Sequence, residues 1–199
     1  SGLRLDLALQ WTQSTDEHVR SYVNGIPTGS GGTHENGFRA GLGKAVRNFI
    51  ETHNLSPKGV TLTAEDIREG MVVVLSVFVQ EPQFQGQTKD RLNNPEVMSA
   101  VDSQVRPALE HWLNTNISIA ESIIARIILA ARARDKQRVL AAATGEKSPE
   151  RRSEAVRQLG MMGAGDELWQ LYQKESSVEV RQQMLQGMIV PQSLFDEVS

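Results

Sequence analysis

The chain has 199 residues, 39% hydrophobic and 23% charged, with a formal net charge of −3. That size and composition suit a soluble globular protein of one or two domains with a real core. The slight acidity removes any global attraction to nucleic acid, so a phosphate contact has to be local, and the lack of cysteine excludes disulfides and thiolate metal sites and fits a cytoplasmic protein.

Residues 3–11 alternate apolar and other side chains with period two, which predicts a half-buried strand. Residues 18–23 predict a second, after a polar turn. Residues 24–32 hold Gly25, Pro27, Gly29, Gly31 and Gly32 and read as a loop. Thr33 then caps a helix in which Phe38, Leu42, Val46, Phe49 and Ile50 recur at helical spacing. Thr63 with Glu65 and Asp66 opens a short helix that Gly70 ends. The β-branched run 71–79 predicts a strand buried on both faces. Together these elements predict an α+β fold, a small sheet backed by helices.

From Pro95 onward the pattern is helical. Val101, Val105, Leu109, Trp112 and Leu113 form one apolar stripe, with Trp112 expected in the core. Ile117 to Leu129 carry another, which runs on through Ala130-Ala-Arg-Ala-Arg134 without a glycine or proline until Gly145. The longest apolar runs are too short to span a bilayer, no charged-then-apolar leader opens the chain, and Ser1-Gly2 reads as a tag remnant.

Residues 135–190 give no strand signal. They contain an internal repeat, in which residues 148–159 align with residues 177–188. Ser148 falls on Ser177, Glu150 on Glu179 and Arg152 on Arg181; Ala155, Val156 and Leu159 fall on Met184, Leu185 and Met188. Between the two copies stand Gly163-Ala-Gly165, Asp166 as a cap, and a helix with Leu168, Trp169, Leu171 and Tyr172. Cap, helix, tight turn and helix, repeated, is the unit of an α-solenoid. The segment resembles short bacterial HEAT-like repeats, and one and a half repeats have to lean on the preceding helix to bury their face.

Two loops carry the chemistry of the first part. One is Gly31-Gly-Thr-His-Glu-Asn-Gly-Phe38. The other is Glu81-Pro-Gln-Phe-Gln-Gly-Gln-Thr-Lys-Asp90, a polar loop that presents one lysine after an apolar strand. With Tyr22-Val-Asn-Gly-Ile26, Asp66-Ile-Arg-Glu-Gly70, Leu92 and Ala130-Ala-Arg-Ala-Arg134, they occur in the order and spacing of a known module. Residues 3–134 resemble the transducer domain of the gyrase B subunit of type IIA DNA topoisomerases.

The resemblance implies a ribosomal-protein-S5-like fold. It implies that Lys89, with Gln87 beside it, reaches the γ-phosphate of ATP held in a separate ATPase domain. It also implies ATP and magnesium as ligands of the full parent enzyme, with none held by this chain, and the ATPase domain and the gyrase A subunit as partners. Neither the ATPase residues nor the acidic magnesium-binding motifs of that family have a place in this sequence. No complete catalytic site and no activity of the chain alone are therefore expected. Arg126, Arg132 and Arg134 become candidates for weak DNA contact, against the plainer reading of a solvated helix face. Residues 135–199 are expected to form the HEAT-like segment, sharing one long helix with the first domain. Such a junction is what an engineered or natural fusion would look like, and it opens a second reading as a scaffold that self-associates through the helical tail.

His34 reads as either an anion-binding helix start or, more simply, a packing residue. His18, His53 and His111 are scattered without a second ligand at helical spacing, so no metal site is expected.

Overall fold

The computed structural model describes residues 2–188. Two compact units divide the chain, with the boundary between Ala131 and Arg132.

The first unit begins with β1 (Arg4–Trp11), β2 (His18–Val23) and the two-residue β3 (Ile26–Pro27). Helix α1 (Thr33–Thr52) and the short α2 (Ala64–Arg68) follow, then β4 (Met71–Phe78) and α3 (Pro95–Thr115). Helix α4 (Ile117–Gly145) contains the boundary between the units. The four strands form one sheet in the order β1-β4-β2-β3. β4 pairs antiparallel with β1, placing Leu7 opposite Leu75. It pairs parallel with β2, placing Ser21 opposite the same Leu75. A parallel neighbour requires a crossover, and the chain supplies one through α1.

Alternation decides the faces. Met71, Val73, Leu75 and Val77 of β4 are buried, whereas Val72, Val74 and Phe78 are exposed. The expectation of a strand buried on both faces is therefore corrected. A β-branched run has the same composition in a singly and a doubly covered strand, and here only the inner face is covered. Against that face lie Phe38, Leu42, Val46 and Phe49 of α1, then Val97, Val101 and Val105 of α3, and Ile124 and Ile127 of α4. Helices α1 and α3 approach closely because Gly37 has no side chain. A Cβ there would stand 2.3 Å from the Met98 carbonyl oxygen.

The ends of the elements follow local chemistry. α2 opens with a capping box, in which Thr63 accepts from the Asp66 N–H and Asp66 from the Thr63 N–H. Thr33, expected as the cap of α1, is its first helical residue. Gly32 occupies the cap position, and the Thr33 hydroxyl is buried without a partner. Trp112 is 41% exposed rather than in the core. It lines an open apolar groove with Leu5, Leu9, Leu109 and Ile119.

The second unit is helical in its described part. It contains the end of α4, then α5 (Pro149–Met161), α6 (Gly165–Tyr172) and α7 (Val178–Met188). Its core is Val139, Ala143, Ala155, Val156, Leu159, Ala164, Leu168, Val180 and Met184. Asp166 lies in the first turn of α6 and Ala164 is the cap, so the expected aspartate cap shifts by two residues. Trp169 of α6 is 53% exposed. The remainder of the expected repeat segment, residues 189–199, lies outside the described residues. No described helix is by itself long and apolar enough to cross a membrane.

Candidate functional site

The two motif loops form one structure. After β4 the chain folds back on itself. The Asn93 N–H donates to the Gln83 carbonyl at 2.8 Å and the Gln85 N–H to the Arg91 carbonyl at 2.9 Å. Beyond these rungs stands a tip with Gln87, Thr88 and Lys89 exposed to solvent. Lys89 takes φ 55°, the left-handed region that costs an ordinary residue about 1 kcal/mol or more. Its ammonium makes no ion pair among the described residues.

Asp90 holds this tip. The Thr88 hydroxyl donates to one carboxylate oxygen at 2.6 Å, and the Ser30 hydroxyl to the other at 2.9 Å. The Ser30 N–H also donates to the Asp90 carbonyl at 2.9 Å, and the Arg91 guanidinium to the Ser30 carbonyl at 3.0 Å. The Thr88 and then the Ser30 hydrogen bond hold the Asp90 carboxyl below the usual carboxylate range.

Beneath this clasp Leu92, 1% exposed, fixes the loop to the start of α1. Its N–H donates to the Gly31 carbonyl and its carbonyl accepts from the Thr33 N–H, both at 3.1 Å. Gly32 is irreplaceable at this crossing, with φ 140° and a virtual Cβ 2.4 Å from the Leu92 carbonyl oxygen. Asn94, 2% exposed, closes the other side. Its Oδ1 accepts from the Gln83 N–H at 2.6 Å, and its Nδ2 donates to the Glu81 carbonyl and the Glu96 carboxylate. The Lys89 tip is thus tied to the first turns of α1 and α3.

A buried polar chain supports the glycine loop from within. His34 Nε2 lies 2.9 Å from the Thr28 hydroxyl, which lies 2.6 Å from the Ser21 hydroxyl. Ser21 in turn donates to Glu35 at 2.6 Å. A carboxylate only accepts, so the direction of the whole chain follows from it. Thr28 donates to Ser21, and His34 donates from Nε2 to Thr28. The Nδ1 of this neutral ring is buried without a partner. Burial lowers the His34 pKa from 6.5 to about 4. The other Glu35 oxygen accepts from Arg39 at 3.2 Å, and Arg39 and Arg68 share Glu17. This supports the packing reading of His34.

The candidate basic residues divide. Arg126 sends Nη2 to the Ser14 carbonyl at 2.6 Å and leaves Nε buried. Arg134 is half-buried and engaged, and Arg132 is exposed. Of their neighbours, Lys136 pairs with Glu167, and Arg138 pairs with Asp135 at 2.7 Å. No group of three His, Asp or Glu side chains among the described residues could hold a metal ion.

The sequence alone singled out Lys89 and Gln87 but missed Ser30, Asp90 and Asn94. The aspartate directly after the lysine and the serine directly before the glycine pair were the available signals.

Comparison with known proteins bears on both loops together. A family model described as DNA gyrase B matches residues 1–142, which contain both. The chain belongs to the DNA gyrase B family. The DNA gyrase B protein of Chlamydia pneumoniae is 42% identical over 134 residues, covering 67% of this chain and 17% of that protein. Its Micrococcus luteus counterpart is 40% identical over 162 residues, covering 81% and 22%. The B protein of DNA topoisomerase 4 from Salmonella typhimurium is 46% identical over 131 residues, covering 65% and 21%. The chain therefore spans about a fifth of the length of the curated relatives it matches. Among solved structures, the 43K ATPase domain of Thermus thermophilus gyrase B superposes with a TM-score of 0.66 at 31% identity, covering 69% of this chain and 37% of that one. The topoisomerase IV ATP-binding domain of Francisella tularensis gives 0.61 at 38% identity, covering 66% and 36%. The gyrase-B-type part is thus a mixed α and β unit with a small sheet, as expected.

Proposed function

We propose that the gyrase-B-type unit works as a transducer in an ATP-dependent type IIA topoisomerase, relaying nucleotide state toward the DNA gate. Lys89 contacts the γ-phosphate of ATP bound by a neighbouring ATPase domain, with Gln87 beside it. The observation that carries the reading is the clasp, which holds an exposed lysine at a constrained tip and ties that tip to the starts of α1 and α3. Lysine is a compact charge suited to phosphate. A contact that exists with the triphosphate and not the diphosphate biases one conformation over another. A tip rigidly joined to two long helices could pass that bias on as a rotation. ATP is the substrate in this reading, its magnesium travels with it, and the chain alone performs neither ATP hydrolysis nor DNA cleavage. The gyrase A subunit is the partner at the DNA gate, and the work takes place in the cytoplasm. Of the three candidate arginines, Arg132 is the one exposed enough to touch a DNA phosphate, in a contact that weakens with salt.

The test supplies the family's N-terminal nucleotide-binding portion in cis. Lys89→Ala is expected to lower ATP turnover by about a hundredfold, the scale of losing one preorganised electrostatic contact. Unchanged turnover would remove Lys89 from the mechanism.

A second reading concerns the helical unit. The motif repeat and its matching helices favour a HEAT-like interaction module behind the transducer, joined to it by natural or engineered fusion.

A further inference from the structure

The repeated motif of the helical unit is longer than its caps. Glu146, Ser148, Glu150 and Arg152 recur in register as Glu175, Ser177, Glu179 and Arg181. The two serines do the same job. Ser148 accepts from the Arg151 N–H and Ser177 from the Val180 N–H, each at 3.4 Å. The two arginines do not share one fate. Arg152 is locked by Glu175 through a two-pronged pair, Nε to Oε2 and Nη2 to Oε1, both at 3.0 Å. Its third nitrogen donates to the carbonyls of Glu146 and Lys147. Glu175 also accepts from the Ser177 N–H at 2.8 Å. The arginine of one motif is thus held by the glutamate that opens the next.

Arg181 has no such glutamate among the described residues. Its Nε is buried without an acceptor, and its guanidinium lies over the Tyr172 ring at 4.5 Å. Tyr172 stacks on the exposed Trp169 at 5.8 Å, and Val178 and Leu185 of α7 are also exposed. The complementary group stands at the other end of the repeat. Glu146 receives the Lys147 N–H and the exposed Arg151 at 3.7 Å, with no arginine from a preceding motif among the described residues. A buried donor left without an acceptor is costly, which makes Arg181 the candidate position for a carboxylate from outside the described residues.

We propose that the helical unit docks head to tail with a second copy of the chain, Glu146 of one copy closing on Arg181 of the other as Glu175 closes on Arg152. Both halves of the contact are written in one sequence, which favours a second copy over an unrelated partner. The contact joins two different surfaces, so it is heterologous, and unless its rotation closes into a ring it propagates beyond a dimer. The same stacking extends a solenoid by whole repeats. Trp169, Val178 and Leu185 supply apolar area beside the ion pair.

Sedimentation velocity on the full chain from micromolar to millimolar concentration tests this. The average mass of the wild type is expected to rise with concentration without a plateau at the dimer. Arg181→Glu alone and Glu146→Arg alone are expected to weaken association at least about tenfold, because like charges then meet. An equimolar mixture of the two variants restores the opposite pairing and with it the association, which a misfolded variant could not do. Arg181→Met, which keeps bulk over Tyr172, should also stay monomeric with an unchanged circular dichroism melt. A wild type that remains monomeric, an Arg181→Glu variant that associates like wild type, or a mixture that stays monomeric would each overturn the proposal.

Discussion

His34 sits at the first turn of α1, fully buried, with one ring nitrogen bonded to Thr28 and the other unpartnered. Its pKa is lowered from 6.5 to about 4 by burial. The folded chain therefore refuses a proton that the unfolded chain accepts near 6.5, so stability is complete above that pH and is lost as pH falls toward 4. Between pH 7 and pH 5 the loss should be about 2 kcal/mol. Urea unfolding midpoints at the two pH values measure it, and His34→Gln should flatten the difference while lowering stability at pH 7. At this scale the sequence was informative about chemistry and silent about contacts. Lys89 and Gln87 stood out as a polar tip because their residue types and glycine neighbours are local facts. The Ser30–Asp90 clasp did not, since it joins residues sixty positions apart. Arg126 misled for the same reason. It reads as a helix-surface cation, yet its guanidinium meets the Ser14 carbonyl, 112 positions away.

At the scale of elements, periodicity placed β1, β2, β4 and the long helices but missed the two-residue β3 inside the glycine-rich stretch 24–32, and it erred on what covers the elements. The run 71–79 has the composition of a doubly buried strand, and the sheet covers it on one face. Trp112 and Trp169 lie on apolar helical stripes, yet both stripes are wider than the surface that covers them. In the helical unit the serine caps at 148 and 177 were legible, but the apolar register was not, since Val156 is buried and Leu185, aligned with it, is 44% exposed. Nor was the ion pair between α5 and the start of α7. Arg152 and Glu175 have side chains 14% and 7% exposed. Burial raises the Glu175 pKa, but Arg152 and the backbone N–H groups of Ser177 and Ser176 outweigh it and hold the carboxyl below its ordinary range. Removing one partner of a buried pair leaves an uncompensated charge and costs about 3 kcal/mol. Glu175→Gln should therefore speed amide exchange in α5 and α7 by about a hundredfold, and leave α1 and α3 unchanged. Exchange followed by mass spectrometry measures both at once.

For the whole molecule, family membership rests on residues 1–142 and the proposed relay rests on one geometry. The Lys89 tip projects from a small sheet-and-helix body and is held by the Asp90 and Ser30 hydrogen bonds. Such a tip, with its cation free of ion pairs among the described residues, makes sense facing a phosphate held elsewhere. The sequence could reach this far only through the match of several motifs together, because a single loop lysine has no diagnostic value. What it could not supply was the set of hydrogen bonds by which Leu92 and Asn94 join the tip to the starts of α1 and α3. The most direct measurement is calorimetric binding of a non-hydrolysable ATP analogue and of ADP, with the nucleotide-binding portion present in cis. Lys89→Ala is expected to weaken the triphosphate by about tenfold or more and to leave ADP affinity unchanged. Equal losses for both nucleotides, or no loss for either, would contradict a γ-phosphate contact by Lys89.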